Sequence, residues 1–262
     1  MWRWLALVPI VLAVAATCEG GGDTKALYIA LGDSLSEGAG ASDPRETAFV
    51  PLVHESLGEG YELLNLGHSG DTSQQLLDHG HLDDAVAEIV ERNGADDADN
   101  DVGLVTLEIG GNDLLRLYFS LVVTGACADV ETSITKPECT EPLRSALDAF
   151  EPNLVATLEG LQEADPSLRI LLLTLYNPFP ADAPTGPVGD LSLEGMADTP
   201  FPDGINDIIR EEAERADAVL VDLYPLFAGR TPELIAGDGI HPNDAGYRVM
   251  AGAVNQALDA AP

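Results

Sequence analysis

Five short runs of apolar residues recur along the chain, at 26–31, 62–66, 102–109, 169–175 and 218–223. Each has strand length, and Ile170-Leu171-Leu172-Leu173 is apolar without interruption, as a strand covered on both faces requires. Between them lie longer stretches with helical spacing of apolar positions, at 81–92, 141–164, 204–216 and 244–258. Asn93-Gly94 and Asp165-Pro166 supply the breaks after the first two of these. Strand-length runs alternating with helices predict βαβ units and a parallel sheet, in an α/β domain. No internal repeat and no second domain is visible.

The first residues follow a different pattern. Met1-Trp2-Arg3-Trp4 carries one positive charge, and the apolar run 5–16 is too short to span a bilayer comfortably. It predicts a secretory signal over 1–17. Ala15-Ala16-Thr17-Cys18 resembles a bacterial lipoprotein signal, which would leave Cys18 lipid-modified at the new N-terminus. Cleavage after Ala15 would instead release a free protein, and an uncleaved anchor is a third reading. Lipidation of Cys18 leaves Cys127 and Cys139 as a pair, in a compartment where disulfides persist. Residues 18–25, with Gly20-Gly21-Gly22, predict a flexible tether, and the folded domain is expected over 26–262. The expected location is therefore the cell surface or periplasmic side, membrane-anchored through Cys18.

At 262 residues and 45% apolar, the chain suffices for one well-packed domain. Its formal charge of −33, with Lys25 and Lys136 the only lysines, argues against a nucleic-acid partner, because phosphate binding needs a basic face. The acidity is spread along the chain with a dense patch at 96–101, and adaptation to high salt is one reading of it.

Four segments carry chemistry. Ser34 stands in Gly32-Asp33-Ser34-Leu35, directly after the first apolar run. Gly67 stands in Asn65-Leu66-Gly67-His68-Ser69, and Asn112 in Gly110-Gly111-Asn112-Asp113. His241 stands in Asp238-Gly239-Ile240-His241-Pro242. A serine, a histidine with a carboxylate three residues before it, and two candidate oxyanion donors are the parts of an acyl-transfer site. The first three each follow a predicted strand, so they fall on one edge of the sheet. Ser36 stands where the Gly-x-Ser-x-Gly elbow of α/β-hydrolases would have its second glycine.

These four blocks, in this order, resemble the GDSL/SGNH family of serine hydrolases, from Ala26 to the C-terminus. The resemblance implies a flavodoxin-like, three-layer α/β/α sandwich with a five-stranded parallel sheet. It implies Ser34 as nucleophile, His241 as base and Asp238 as its orienting acid. The oxyanion hole would comprise the N–H groups of Ser34 and Gly67 and the amide of Asn112. No metal or organic cofactor is expected, and the chain is expected to act as a monomer on a small-molecule or lipid ester. Lipid, lysophospholipid and short-chain acyl esters come first as substrates. A carbohydrate O-acetyl esterase, an acyltransferase and a non-catalytic surface-binding protein on the same fold are the alternatives.

Other features are less informative. His79-Gly80-His81 suggests a metal pair, but no third ligand stands beside it, so a solvated loop and helix start is expected. His54 and His68 carry no evident partner, and Asp33 and Asp113 are expected to brace their turns. The stretch 114–119 fits an acyl pocket and a packed helix equally well. The segment 122–142 reads as an insertion closed by Cys127–Cys139, and 177–202 as a long loop at the rim of the site.

Overall fold

The computed structural model describes residues 25–94 and 100–260. The expected signal, Cys18 and nearly all of the expected tether lie outside the described residues, as does most of the acidic patch. Five strands form one parallel sheet in the order β2-β1-β3-β4-β5. They are β1 Ala26–Gly32, β2 Tyr61–Gly67, β3 Val102–Glu108, β4 Ile170–Leu173 and β5 Val219–Val221. All five coincide with the predicted apolar runs.

Alternation along the strands creates two cores, one on each face. Leu27, Ile29 and Leu31 of β1, with Ile170 and Leu172 of β4, point to one side. There they meet α4 (His81–Asn93), α7 (Pro137–Ala164) and α9 (Ile205–Arg215), through Ile89, Phe150, Leu154 and Ile209. Tyr28, Ala30, Leu171 and Leu173 point to the other side. They pack on α2 (Phe49–Leu57) and α12 (Asp244–Ala260), through Phe49, Val53, Tyr247 and Met250. Two cores on one sheet make the three-layer sandwich. A polar pair buried in the sheet, Tyr28 with Thr106, is satisfied by a hydrogen bond of 2.9 Å.

The remaining helices are short: α1 Ser34–Glu37, α3 Ser73–Asp78, α5 Gly111–Leu117, α6 Val130–Thr135, α8 Gly186–Glu194, α10 Tyr224–Phe227 and α11 Thr231–Leu234. A π-helical turn, Tyr118–Val122, continues α5. Two segments depart from the expected layout. Helix α7 begins at Pro137 rather than Glu141, because proline suits a first helical turn, where no N–H is needed. The segment 177–202 is not all loop. It contains α8, whose Val188, Leu191 and Leu193 are buried.

The carboxyl ends of β1, β2 and β3 lie side by side, with Gly32 paired to both Gly67 and Glu108. A Cβ on Gly32 would lie 2.2 Å from the Glu108 carbonyl, and its φ is +151°, so only glycine fits where the chain leaves the sheet toward Ser34.

Candidate active site

Ser34 is the first residue of α1, immediately past the end of β1, and is 8% exposed. Its Oγ lies 3.0 Å from Nε2 of His241. The other ring nitrogen of His241, Nδ1, lies 2.7 Å from Oδ2 of Asp238. The structure thus brings together the three residues singled out in the sequence. The turn that carries them is self-supporting. Oδ1 of Asp238 accepts the N–H groups of Ile240 and His241 at 3.0 Å each, and Gly239 reverses the chain with φ +77°. Tyr176 donates its hydroxyl to the Ile240 carbonyl at 2.8 Å, tying the turn to the end of β4. Burial opposes the charge of Asp238, but the hydrogen bonds from Ile240 and His241 outweigh it and hold the carboxyl below its ordinary value. An ionised Asp238 on Nδ1 leaves Nε2 free to take the Ser34 proton.

Behind Ser34 is a pair of buried acids. Asp33 caps α1, its Oδ1 accepting from the Leu35 N–H at 3.1 Å and the Ser34 hydroxyl at 3.4 Å. Burial pushes its carboxyl up to about 6, against the hydrogen bonds it accepts and the charge of His241. Glu108, at the end of β3, is fully buried, and neither of its oxygens faces a protein donor. Burial first, and the neighbouring Asp33 charge second, raise its carboxyl well above the ordinary value. A protonated Glu108 resolves the conflict, because it becomes the donor and Asp33 the acceptor. The sequence signal for it was a lone acid inside the apolar run 102–109.

Asn112 sits in the first turn of α5, after β3. Its Nδ2 donates to Asp33 Oδ2 at 3.0 Å and to the Asp71 carbonyl at 2.9 Å. Asp113, the next residue, accepts the N–H and hydroxyl of Ser73 at 2.9 and 2.7 Å, bracing α5 against α3. Burial raises its carboxyl while those bonds oppose the shift.

The expectation for Gly67 needs correction. Its N–H donates to the side-chain oxygen of Asn65 at 2.9 Å and is not free for a ligand. What requires glycine there is space: a Cβ would lie 2.6 Å from Ser36 Cβ and Glu37 N. Three residues on, Gly70 is the third residue of a turn closed by the Asp71 N–H on the His68 carbonyl. Its φ of +88° calls for glycine, and its N–H has no acceptor among the described residues. Gly70 adjoins the Asp71 carbonyl that holds Asn112, so the turn that presents this N–H also holds the Asn112 amide.

Beside Ser34 opens a narrow cleft with about 130 Å³ of interior space. Leu114, Leu117 and Tyr118 wall it, with Leu121 and Val122 from the π turn and Val188 and Leu191 from α8. Leu114, Leu115, Leu117 and Tyr118 thus line a pocket, while Arg116 and Phe119 are exposed. Phe179 stacks on Tyr118 at 4.1 Å, joining the segment 177–202 to the π turn. Cys127 and Cys139 are bonded to one another and also line the cleft, so the insertion belongs to its wall.

The histidines expected to be solvated do not lie apart. His68, His79 and His81 all converge on the carboxylate of Asp71. His54, by contrast, spends its Nε2 on the Tyr61 carbonyl at 3.0 Å.

The chain is 28% identical over 233 residues to a spore germination lipase of Bacillus licheniformis, covering 86% of this chain and 92% of that protein. Its fold superposes on a lipase from a goat rumen metagenome with a TM-score of 0.67, at 24% identity, covering 89% and 97% of the two chains. An acetylxylan esterase from Geobacillus stearothermophilus superposes with a TM-score of 0.59, at 20% identity, covering 90% and 94%. The model of the GDSL-like lipase/acylhydrolase family matches residues 30–249, nearly the whole sandwich with Ser34, Asn112, Asp238 and His241 inside it, and the chain belongs to that family of esterase and lipase-type hydrolases.

Proposed function

We propose that this hydrolase is an exported serine esterase acting on esters with an apolar acyl chain, lipid or lysophospholipid esters foremost. The observation that carries the reading is the Ser34–His241–Asp238 relay at the mouth of a cleft walled by leucines and aromatic residues. The lipase name of the Bacillus licheniformis relative supports the same substrate class.

In the proposed reaction, Ser34 Oγ attacks the ester carbonyl while His241 Nε2 takes its proton. The charge developing on the carbonyl oxygen falls to the Ser34 N–H, which as the first of α1 has no partner within the helix, and to the Gly70 N–H. Asn112 contributes the hydrogen now on Asp33, while its second hydrogen stays on the Asp71 carbonyl and fixes the amide plane. Collapse expels the alcohol, which takes the proton from His241, and leaves an acyl group on Ser34. Water, activated by the same ring, then attacks and releases the acid. All these groups come from one chain, as a monomeric enzyme requires. The apolar leader, the lipoprotein-like Cys18 and the Cys127–Cys139 bond support export and anchoring.

The test is turnover of p-nitrophenyl acetate, butyrate and decanoate by the purified protein beside Ser34→Ala. Loss of activity by about five orders of magnitude in the variant, with kcat/KM rising from acetate to decanoate, is expected. A preference for acetate would favour the carbohydrate O-acetyl esterase reading. Ester products formed with added alcohols would favour an acyltransferase.

A further inference from the structure

Asp71 is 2% exposed, and among the described residues its ion-pair partners are three imidazoles alone. Its oxygens lie 3.0 Å from His68 Nδ1, 3.1 Å from His79 Nδ1 and 3.3 Å from His81 Nε2. One donor atom from each of the four residues falls within 4.8 Å of all the others. Three rings thus crowd one buried carboxylate, and one of them is left unsatisfied. The His81 Nε2 is buried and, despite the Asp71 oxygen 3.3 Å away, forms no hydrogen bond.

We propose that His68, Asp71, His79 and His81 form a metal site for a divalent ion of zinc type. Three imidazole nitrogens and one carboxylate oxygen are a donor set for Zn²⁺, and borderline nitrogen ligands disfavour Mg²⁺ and Ca²⁺. At zinc bond lengths of about 2.0–2.2 Å, tetrahedral ligand atoms stand about 3.3–3.6 Å apart. The carboxylate-to-ring distances already approach that. The wider ring-to-ring spacings close by side-chain rotation of His68 and His79, which are 57% and 43% exposed. The backbone is shaped for convergence. Gly80, with φ +81° and open space around it, reverses the chain between His79 and His81, and the Gly70 turn folds Asp71 back beneath His68.

The ion would act as a clamp, away from the reacting atoms. Asp71 presents its carboxylate to the histidines and its carbonyl to Asn112, and Gly70 lies between two ligands. Binding would therefore fix the turn 68–71 to the start of α4. This second part rests on the proposed role of Gly70 and Asn112 in stabilising the oxyanion, whereas the site itself does not.

The test uses the processed protein without a histidine tag, stripped with EDTA and titrated with ZnCl2 by calorimetry. One equivalent is expected to bind, with Co²⁺ giving the strong visible absorption of a tetrahedral site. The double variant His79→Ala/His81→Ala, and separately His68→Ala, should bind at least about a hundredfold more weakly, yet unfold at the temperature of the stripped wild type. At a hundredfold excess over Kd, zinc should raise the wild-type Tm by about 5–10 °C and leave that of the double variant unchanged. Zinc binding no better than in the double variant, or preferred binding of Mg²⁺, overturns the site. Ester turnover is measured on the same samples, where stripping should lower kcat by between a few-fold and about a hundredfold, with KM little changed. Binding with unaltered kcat overturns the clamp, and binding by a protein that hydrolyses no ester overturns the proposed function while the site stands.

Discussion

The Ser34 hydroxyl has two acceptors for one hydrogen, His241 Nε2 at 3.0 Å and Asp33 Oδ1 at 3.4 Å. The shorter bond places the proton toward the imidazole, and Asp238 keeps the ring turned that way. Asp238→Asn should lower kcat by about ten-thousandfold, because an amide on Nδ1 no longer selects the productive tautomer. An activity within tenfold of the wild type would show that the ring is oriented by its packing alone. The acids behind the serine make a different prediction. Asp33 and Glu108 both bind protons more tightly folded than unfolded, where carboxyls titrate near 3.9 and 4.3. Their contribution to stability is full below about pH 4 and is lost as pH rises through about 6 for Asp33, and through a point well above the ordinary carboxyl value for Glu108. Glu108→Gln keeps a donor for Asp33 and removes the proton that Glu108 must retain. The unfolding temperature of the variant should therefore gain on the wild type between pH 4 and 8. Parallel pH profiles for the two proteins would contradict a proton shared between these carboxyls.

At the level of elements, the wall of the cleft is held by a covalent link. The Cys127–Cys139 bond closes a short loop, with a sequence separation of 12, between the π turn and the start of α7. Loop-closure entropy assigns it about 3 kcal/mol. The double variant Cys127→Ser/Cys139→Ser should unfold about 6–12 °C lower. Because both cysteines line the cleft, turnover of decanoyl esters should fall more than that of acetyl esters, and equal losses would detach this segment from the acyl site. Such walls were hard to read in advance. The central strands were legible because they are covered on both faces and so are largely apolar. The longer helices were legible because they bury a single stripe. Helix α8 has nine residues, two of them glycine, and its apolar positions serve a cleft as well as a core, so no clear period marks it. Ser34, Asp238 and His241 were legible because their turns carry local chemistry: a cap, a glycine reversal and a carboxylate three residues from its ring. Gly67 shows the opposite, since a glycine needed for close packing reads the same as one that offers an N–H. The histidine cluster was invisible for another reason. His68 and Asp71 reach His79 and His81 only because α3 folds between them and Gly80 turns the chain back.

For the molecule as a whole, 45 acidic residues against 12 lysines and arginines leave a formal charge of −33. Several arginines are already shared among acids: Arg210 faces Glu194, Asp207 and Asp222, and Arg92 faces Glu62 and Glu88. Partly exposed pairs of this kind contribute at most about 1 kcal/mol each, so they do not offset the repulsion among the remaining carboxylates. Repulsion of that range is a long-distance effect, and salt removes it. The Debye length falls from about 30 Å at 0.01 M to about 3 Å at 1 M. Raising NaCl over that interval should increase the unfolding temperature by about 5 °C or more, with most of the gain below about 0.3 M, where screening changes fastest. NaCl and KCl should act alike, because screening depends on ionic strength and not on the cation. A rise that continues in proportion to concentration would point to general exclusion of salt from the surface. No rise at all would mean that the acids are spaced widely enough to ignore one another, and adaptation to a saline habitat would lose its physical basis.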